Sequence, residues 1–126
     1  MKQYIILISA LILVIGFNSF QSNFLKSTSK ELLEYINEIK VSLENNNDND
    51  IKFKIQNLEN YWKSKKEIWD ILTEHDDVEE FESHLASLKV HTSVFEKNES
   101  LNEIAFLSQR IKHILENEKV SLGTVF

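Results

Sequence analysis

The run YIILISALILVIGF, Tyr4 to Phe17, constrains this chain more than any other stretch, because only Ser9 and Gly16 interrupt its apolar side chains. A segment that is apolar on every side has no polar face to turn to water, so it does not suit a soluble core helix. Phe20 extends the apolar surface past Asn18 and Ser19. As a helix, Tyr4–Phe20 is ~25 Å long, slightly short of the roughly 30 Å hydrocarbon core of a bilayer. Local thinning and flanking groups absorb a mismatch of that size. Tyr4 and Phe20 fall at the two ends, where interfacial aromatic side chains sit. Residues 1–22 are therefore expected to form an N-terminal transmembrane anchor that binds membrane lipid.

The competing reading is an export signal that is cleaved, which would leave a secreted domain. Cleavage needs small side chains at the −3 and −1 positions. The only tolerable pair, Val14 and Gly16, lies inside the apolar run, and Phe17, Phe20 and Phe24 follow where small residues belong. Retention is the expectation. The positive-inside count is nearly even, with Lys2 and the amino group on one side and Lys26 and Lys30, partly offset by Glu31, on the other. The short segment before the span favours an inside amino terminus. The protein is then expected in the cell membrane as a single-pass protein with residues 23–126 extracytoplasmic.

About a hundred residues remain outside the span, enough for one modest core. Pro is absent and Gly16 and Gly123 are the only glycines, a scarcity of turn-formers that argues against an all-β fold. Lys, Glu, Leu and Ile recurring at helical spacing point to an all-α fold. The formal net charge of −6 disfavours a general nucleic-acid binder. Arg110 is the sole arginine, which makes bidentate phosphate or carboxylate recognition a poor fit. Without Cys there is no disulfide, thiolate zinc site, thiol nucleophile or lipidated cysteine.

Gln21–Thr28 is polar and short, and reads as a juxtamembrane hinge. A helix is expected to begin near Ser27–Ser29, carrying Leu32, Ile36, Ile39 and Leu43 on one stripe and ending in NNNDND, Asn45–Asp50. A second stripe is Ile51, Ile55, Leu58, Trp62, Trp69 and Leu72, in which Lys65 takes the one skipped position. Asp77 with Glu80 forms a capping-box pattern before the third stripe, Val78, Phe81, Leu85, Leu88, Thr92 and Phe95. Ser100 with Glu103 repeats that pattern before the fourth, Leu101, Ile104, Ser108, Ile111 and Leu115, widened by Leu107 and Ile114. After Glu118 the tail KVSLGTVF loses helical periodicity and is expected to be non-helical. The fold expected is an N-terminal transmembrane helix followed by an antiparallel bundle of about four amphipathic helices.

Catalytic and metal-binding patterns are weak. His84 and His91 are two turns apart, ~10 Å, too far for one ion. Glu80 and His84 have chelating i,i+4 spacing but are only two ligands. His75 and His113 fall near expected helix C-termini, where an imidazolium suits the dipole. The carboxylates Asp76, Asp77, Glu79, Glu80 and Glu82 lack a calcium-loop glycine and a suitably spaced bidentate Glu, and DND at Asp48–Asp50 is followed by Lys52 at the next ligand position. Carboxylate pairs carry no information in so acidic a chain, and no nucleophile elbow, phosphate-cradling glycine loop or HExxH is present. No metal, no cofactor and no catalytic activity is expected.

Trp62 and Trp69, seven apart on the second stripe, fill the core on the simplest reading; the functional alternative is a groove with aromatic anchors. Nearby charge is polarised, with Lys63, Lys65 and Lys66 preceding seven carboxylates between Asp70 and Glu82. The candidate partner-binding residues are Trp62, Trp69 and His75, together with Leu122, Val125 and Phe126 of the apolar tail.

The N-terminal span, Trp62, IWDILTEHDDVEEFESHLASLK, IKHILENEK and the terminal LGTVF together resemble domain-of-unknown-function family 4363. The resemblance covers nearly the whole chain and implies a small, membrane-anchored, helical bacterial protein with no assigned activity. The family's tail ends in Asn-Ile-Phe, where this chain has Thr124, Val125 and Phe126. The function expected is a membrane-tethered interaction or structural module that binds an integral or peripheral membrane protein or another cell-envelope protein, or a further copy of itself. The alternative is an extracytoplasmic small-ligand or metal-sensing domain built on Trp69, His75 and nearby carboxylates.

Overall fold

The apolar run does not end in a hinge. The computed structural model describes the backbone of residues 1–125 and the side chains of residues 1–117. In it one helix, α1, spans Lys2–Glu44, 43 residues and ~65 Å. It is followed by α2 (Asp48–Leu72), α3 (His75–Ser93) and α4 (Lys97–Val125), with no strand among the described residues. The apolar segment and the first bundle helix are thus one element, and the expected break at Gln21–Thr28 is corrected. The polar residues there serve helix contacts instead. Gln21 Nε2 donates to the Leu72 carbonyl at 3.2 Å, Thr28 Oγ1 donates to the Phe24 carbonyl at 2.7 Å, and Leu25, Thr28 and Ser29 are buried.

The loop expected over Asn45–Asp50 is shorter, because Asp48 and Asp50 belong to the first turn of α2. Carboxylates at that position face the positive end of the helix dipole. The chain reverses by a Schellman motif, in which Asn47 N–H donates to the Ser42 carbonyl at 2.9 Å and Asn46 N–H to Leu43 at 3.2 Å. Asn46 adopts φ 56°, which its short side chain tolerates. On α2, Ile51, Ile55, Leu58, Trp62 and Trp69 are buried as the stripe predicts.

Two helix starts differ from the capping-box expectation. α3 begins at His75 with Glu74 as N-cap, not at Asp77, and α4 begins at Lys97, not after Ser100. Contacts between helices take the residues that would have capped. Asp77 and Glu80 both pair with Arg110 of α4, Glu103 pairs with His84 of α3, and Ser100 is buried with its hydroxyl donating to the Glu96 carbonyl at 2.7 Å. Phe95 also leaves the third stripe: α3 stops at Ser93, and Phe95 follows at φ 60° with 73 % of its surface exposed. On α4 the core face is Ile104, Leu107, Ile111 and Ile114, so the two residues expected only to widen the stripe lie at its centre. α4 continues to Val125, where a non-helical tail was expected. Each further residue adds a hydrogen bond to a helix already nucleated, and Gly123 costs only about 1 kcal/mol against it.

Sequential helices run antiparallel, and α1 also packs on α4, which closes a four-element bundle in which α2 and α3 touch least. The interior is one continuous cluster from Leu25 and Leu32 of α1 through Leu58 and Trp69 to Phe81, Leu88, Leu107 and Ile111, all at or near zero exposure. Each such aliphatic side chain contributes about 1.5–3 kcal/mol through burial. The loops 45–47 and 94–96 share one end, joined by Lys97 Nζ donating to Asn46 Oδ1 at 3.2 Å. The turn at Thr73–Glu74 lies at the opposite end, beside the point where the exposed apolar half of α1 leaves the bundle.

Candidate functional site

The exposed half of α1 is the first site, because the apolar side chains of Tyr4 to Phe17 stand uncovered among the described residues. One 18-residue window of α1 is apolar enough to cross a membrane and none of it is buried. Large apolar side chains such as Tyr4, Leu13 and Phe17 stand 71 %, 72 % and 54 % exposed. Gly16 has no atom within 4 Å of where a Cβ would lie, so it marks no helix contact.

The tryptophans are interior. Trp62 and Trp69 are 3 % and 0 % exposed, with ring centroids 5.8 Å apart, and Trp62 packs on Phe81 at 4.4 Å. Trp62 Nε1 donates to Glu82 Oε1 at 3.2 Å, and the same oxygen receives Lys66 Nζ at 2.9 Å. Trp69 Nε1 donates to Thr28 Oγ1 at 3.1 Å. Both indoles are buried and join α2 to its neighbours. The Glu82 carboxylate beside Lys66 pushes that ammonium above its ordinary value.

His75 opens α3 rather than closing a helix, and His113 lies within α4, so neither caps a C-terminus. Two carboxylates flank the His75 ring, Glu79 at 2.9 Å from Nε2 and Asp70 at 3.6 Å from Nδ1. His84 meets Glu103 at 2.7 Å and stacks on Phe106 at 4.8 Å. Among the described residues no three His, Asp or Glu side chains converge as a metal group. Leu122 and Val125 lie on α4, their side chains outside the described residues, and Phe126 lies outside them altogether.

Two clefts went unread in the sequence. At the end far from the exposed apolar half of α1, α2 and α3 part to leave a cleft of about 570 Å³ lined by Ile51, Ile55, Lys52 and Thr92, with Phe95 also on its wall. Glu59 of α2 and Lys89 of α3 bridge it at 2.7 Å, and the Lys89 ammonium holds the Glu59 carboxyl below its ordinary value. At the other end a cleft of about 380 Å³ lies between α1 and α2, lined by Phe20, Asn23, Phe24, Ser27, Tyr61 and Lys65. Burial, then the Glu31 carboxylate, pushes the Tyr61 hydroxyl up to about 12. The sequence signal for this second cleft was Lys65, a charge at an inward position of an apolar stripe.

A family model described as Domain of unknown function (DUF4363) matches residues 19–125. No curated protein and no solved structure matches this chain.

Proposed function

The chain belongs to the family described as domain of unknown function DUF4363, and from that premise we propose that it is a membrane-tethered helical interaction module that binds another membrane or cell-envelope protein. The anchor is the exposed apolar half of α1, retained as a single-pass span in the cell membrane with the bundle extracytoplasmic. Tethering raises the effective concentration of the bundle for partners on the same membrane, which makes modest contacts sufficient.

One observation carries this reading. Beyond Phe20, seven large apolar side chains stand exposed among the described residues, and five of them, Val41, Phe53, Val90, Val94 and Phe95, gather at the end opposite the span. That end is about 35 Å along α1 from Gln21. A bundle free of partners gains nothing from collecting apolar surface where water is most accessible. A partner with mass standing off the membrane would cover it.

The test is photo-crosslinking in native membranes from probes placed at Phe53 and Phe95, with exposed Lys30, about 21 Å from the distal end of α1, as the control position. A discrete adduct from both probes and none from Lys30 supports a distal docking face, and its mass separates a foreign partner from a second copy. Absence of any adduct from either probe overturns the proposal.

A sensor function is the second reading, favoured by the α2–α3 cleft, whose volume of about 570 Å³ falls in the range of small-molecule sites. A melting temperature and tryptophan emission that stay fixed across a panel of divalent cations and small anions would remove it.

A further inference from the structure

The inward register of α2 is apolar except at one place. Ile51, Ile55, Leu58, Trp62 and Trp69 are buried, and between the two tryptophans stands Lys65, half-buried. A charge at such a position has to be solvated or paired. Its ammonium lies 5.8 Å from the centre of the Tyr61 ring and makes no ion pair among the described residues. The neighbouring lysines differ: Lys63 pairs with Glu59 and Lys66 with Glu82.

Lys65 opens into the smaller cleft, whose position along α1 is fixed by helix geometry. The exposed apolar side chains end at Phe20, and Asn23 and Ser27 follow ~4.5 and ~10.5 Å farther along the axis. The headgroup layer extends roughly 5–7 Å beyond the hydrocarbon on each face of a bilayer. Asn23 therefore falls within that layer and Ser27 about 4 Å beyond it, its side chain tilted back toward the membrane end of α1. Gln21 bonds to Leu72, so the end of α2 is level with the start of the cleft, and Lys65 stands two turns above it. Its backbone is thus ~12 Å beyond Phe20, and a lysine stem of ~6 Å is long enough to swing the ammonium from the Tyr61 ring into the headgroup layer. Phe20 and Phe24 stack at 6.0 Å on the membrane side, apolar and aromatic as an interfacial wall should be. The one carboxylate lining the cleft, Glu31, sits a turn beyond Ser27, beside the Tyr61 hydroxyl whose pKa it raises.

We propose that this cleft binds the phosphate headgroup of an anionic phospholipid in the leaflet where α1 emerges. Lys65 supplies the counter-charge, Asn23 and Ser27 supply hydrogen bonds, and the Phe20–Phe24 pair flanks the first carbons of the acyl chains. The site rests on the reading of α1 as a retained span, because only then is the cleft level with headgroups. It would give the bundle a fixed rotation about α1 relative to the membrane surface.

The test is native mass spectrometry of the full chain in mild detergent, offered phosphatidylglycerol and phosphatidylcholine at equal concentration. Wild type is expected to retain one phosphatidylglycerol with at least a fivefold preference. Lys65→Gln should abolish the preference, and Lys40→Gln, a charge change far from the cleft, should leave it intact. Ser27→Phe fills the cleft without altering charge and should also abolish retention, with helicity by circular dichroism confirming that each variant folds. Equal retention of the two lipids, or an unchanged preference in both cleft variants, overturns the proposal. So does equally tight binding of soluble glycerol phosphate, which would assign the cleft to a free phosphate ligand. Alkaline extraction of native membranes separates the two levels. A chain released by carbonate ends the anchor reading and this inference together, whereas a chain that stays but shows no lipid preference ends the inference alone.

Discussion

The indole nitrogen of Trp69 donates a hydrogen bond to the hydroxyl of Thr28 at 3.1 Å, and both side chains are buried where α2 returns to α1 just above the exposed apolar segment. The same hydroxyl donates to the Phe24 carbonyl at 2.7 Å, so the threonine oxygen is fixed as an acceptor for the indole. Thr28→Val keeps the shape and strands the buried N–H, which costs about 1–3 kcal/mol. In a Trp69→Phe background no N–H is left to strand, so the same substitution should cost at least ~1 kcal/mol less. Denaturant unfolding of the four chains of this cycle in micelles, followed by far-ultraviolet circular dichroism, measures the coupling. An additive cycle would show that the bond contributes nothing.

Phe95 closes α3 in the Schellman position that glycine ordinarily fills. Glu96 N–H donates to the His91 carbonyl at 2.9 Å, Phe95 N–H to Thr92 at 3.3 Å, and Phe95 itself sits at φ 60°. A bulky residue in that region carries about 1–2 kcal/mol of strain, and exposure of 73 % returns little of it through burial. Phe95→Gly is therefore expected to stabilise the fold by about 1 kcal/mol. The same variant should lose the distal crosslink if the ring is part of a docking face. A stability gain without any loss of crosslinking would leave the strain unexplained by partner binding.

Three of the four apolar stripes were legible because burial repeats at helical spacing wherever a helix has one wet face: Leu32 to Leu43, Ile51 to Trp69 and Val78 to Leu88 are interior where the periodicity places them. The ends of the helices were not legible, for a consistent reason. Asp77, Glu80 and Glu103 carry the local pattern of capping residues, yet each carboxylate is taken by a side chain from another helix, Arg110 or His84. Local rules describe a helix in isolation, and a bundle reassigns the same groups. The polar run at Gln21–Thr28 misled in the same way, since Gln21 bonds to the α2 terminus and Thr28 to α1's own backbone. The clefts were invisible because they depend on how far α2 and α3 separate, a tertiary quantity. Lys65 alone announced one of them.

Glu59 and Lys89 supply a prediction with a sign. Glu59 has an ordinary value of 4.5 that is lowered in the fold, first by its hydrogen bond to Lys89. A carboxyl lowered on folding contributes stability above its unfolded value and loses it as pH falls through the folded one. Wild type should therefore exceed Glu59→Gln in stability at neutral pH by about 0.2–1 kcal/mol, the scale of a partly exposed pair. The difference should shrink once pH drops below 4.5. Denaturation midpoints of the two chains between neutral and strongly acid pH test this. A gap that widens on acidification would contradict the assignment.

The continuity of α1 across Gln21–Thr28 makes the last prediction, because it decides whether the bundle swivels on the exposed apolar half of α1 or is rigidly joined to it. With Leu25, Thr28 and Ser29 buried, opening that turn would expose core surface as well as break helical hydrogen bonds. Amide exchange of Gln21–Thr28 in micelles should thus be slowed to a degree approaching that of Leu32–Leu43 in the same helix. Asn23→Pro removes a backbone donor and clashes with the preceding turn, at a cost of about 3 kcal/mol. It should release exchange protection over the segment while leaving α3 and α4 protected, since neither helix runs through it. The same substitution should also abolish any fixed orientation of the bundle toward the membrane, which distance measurements from a label at Phe53 to the bilayer surface would record as a broadened distribution. Exchange at free-chain rates over Gln21–Leu25 in wild type would instead restore a flexible joint at the membrane.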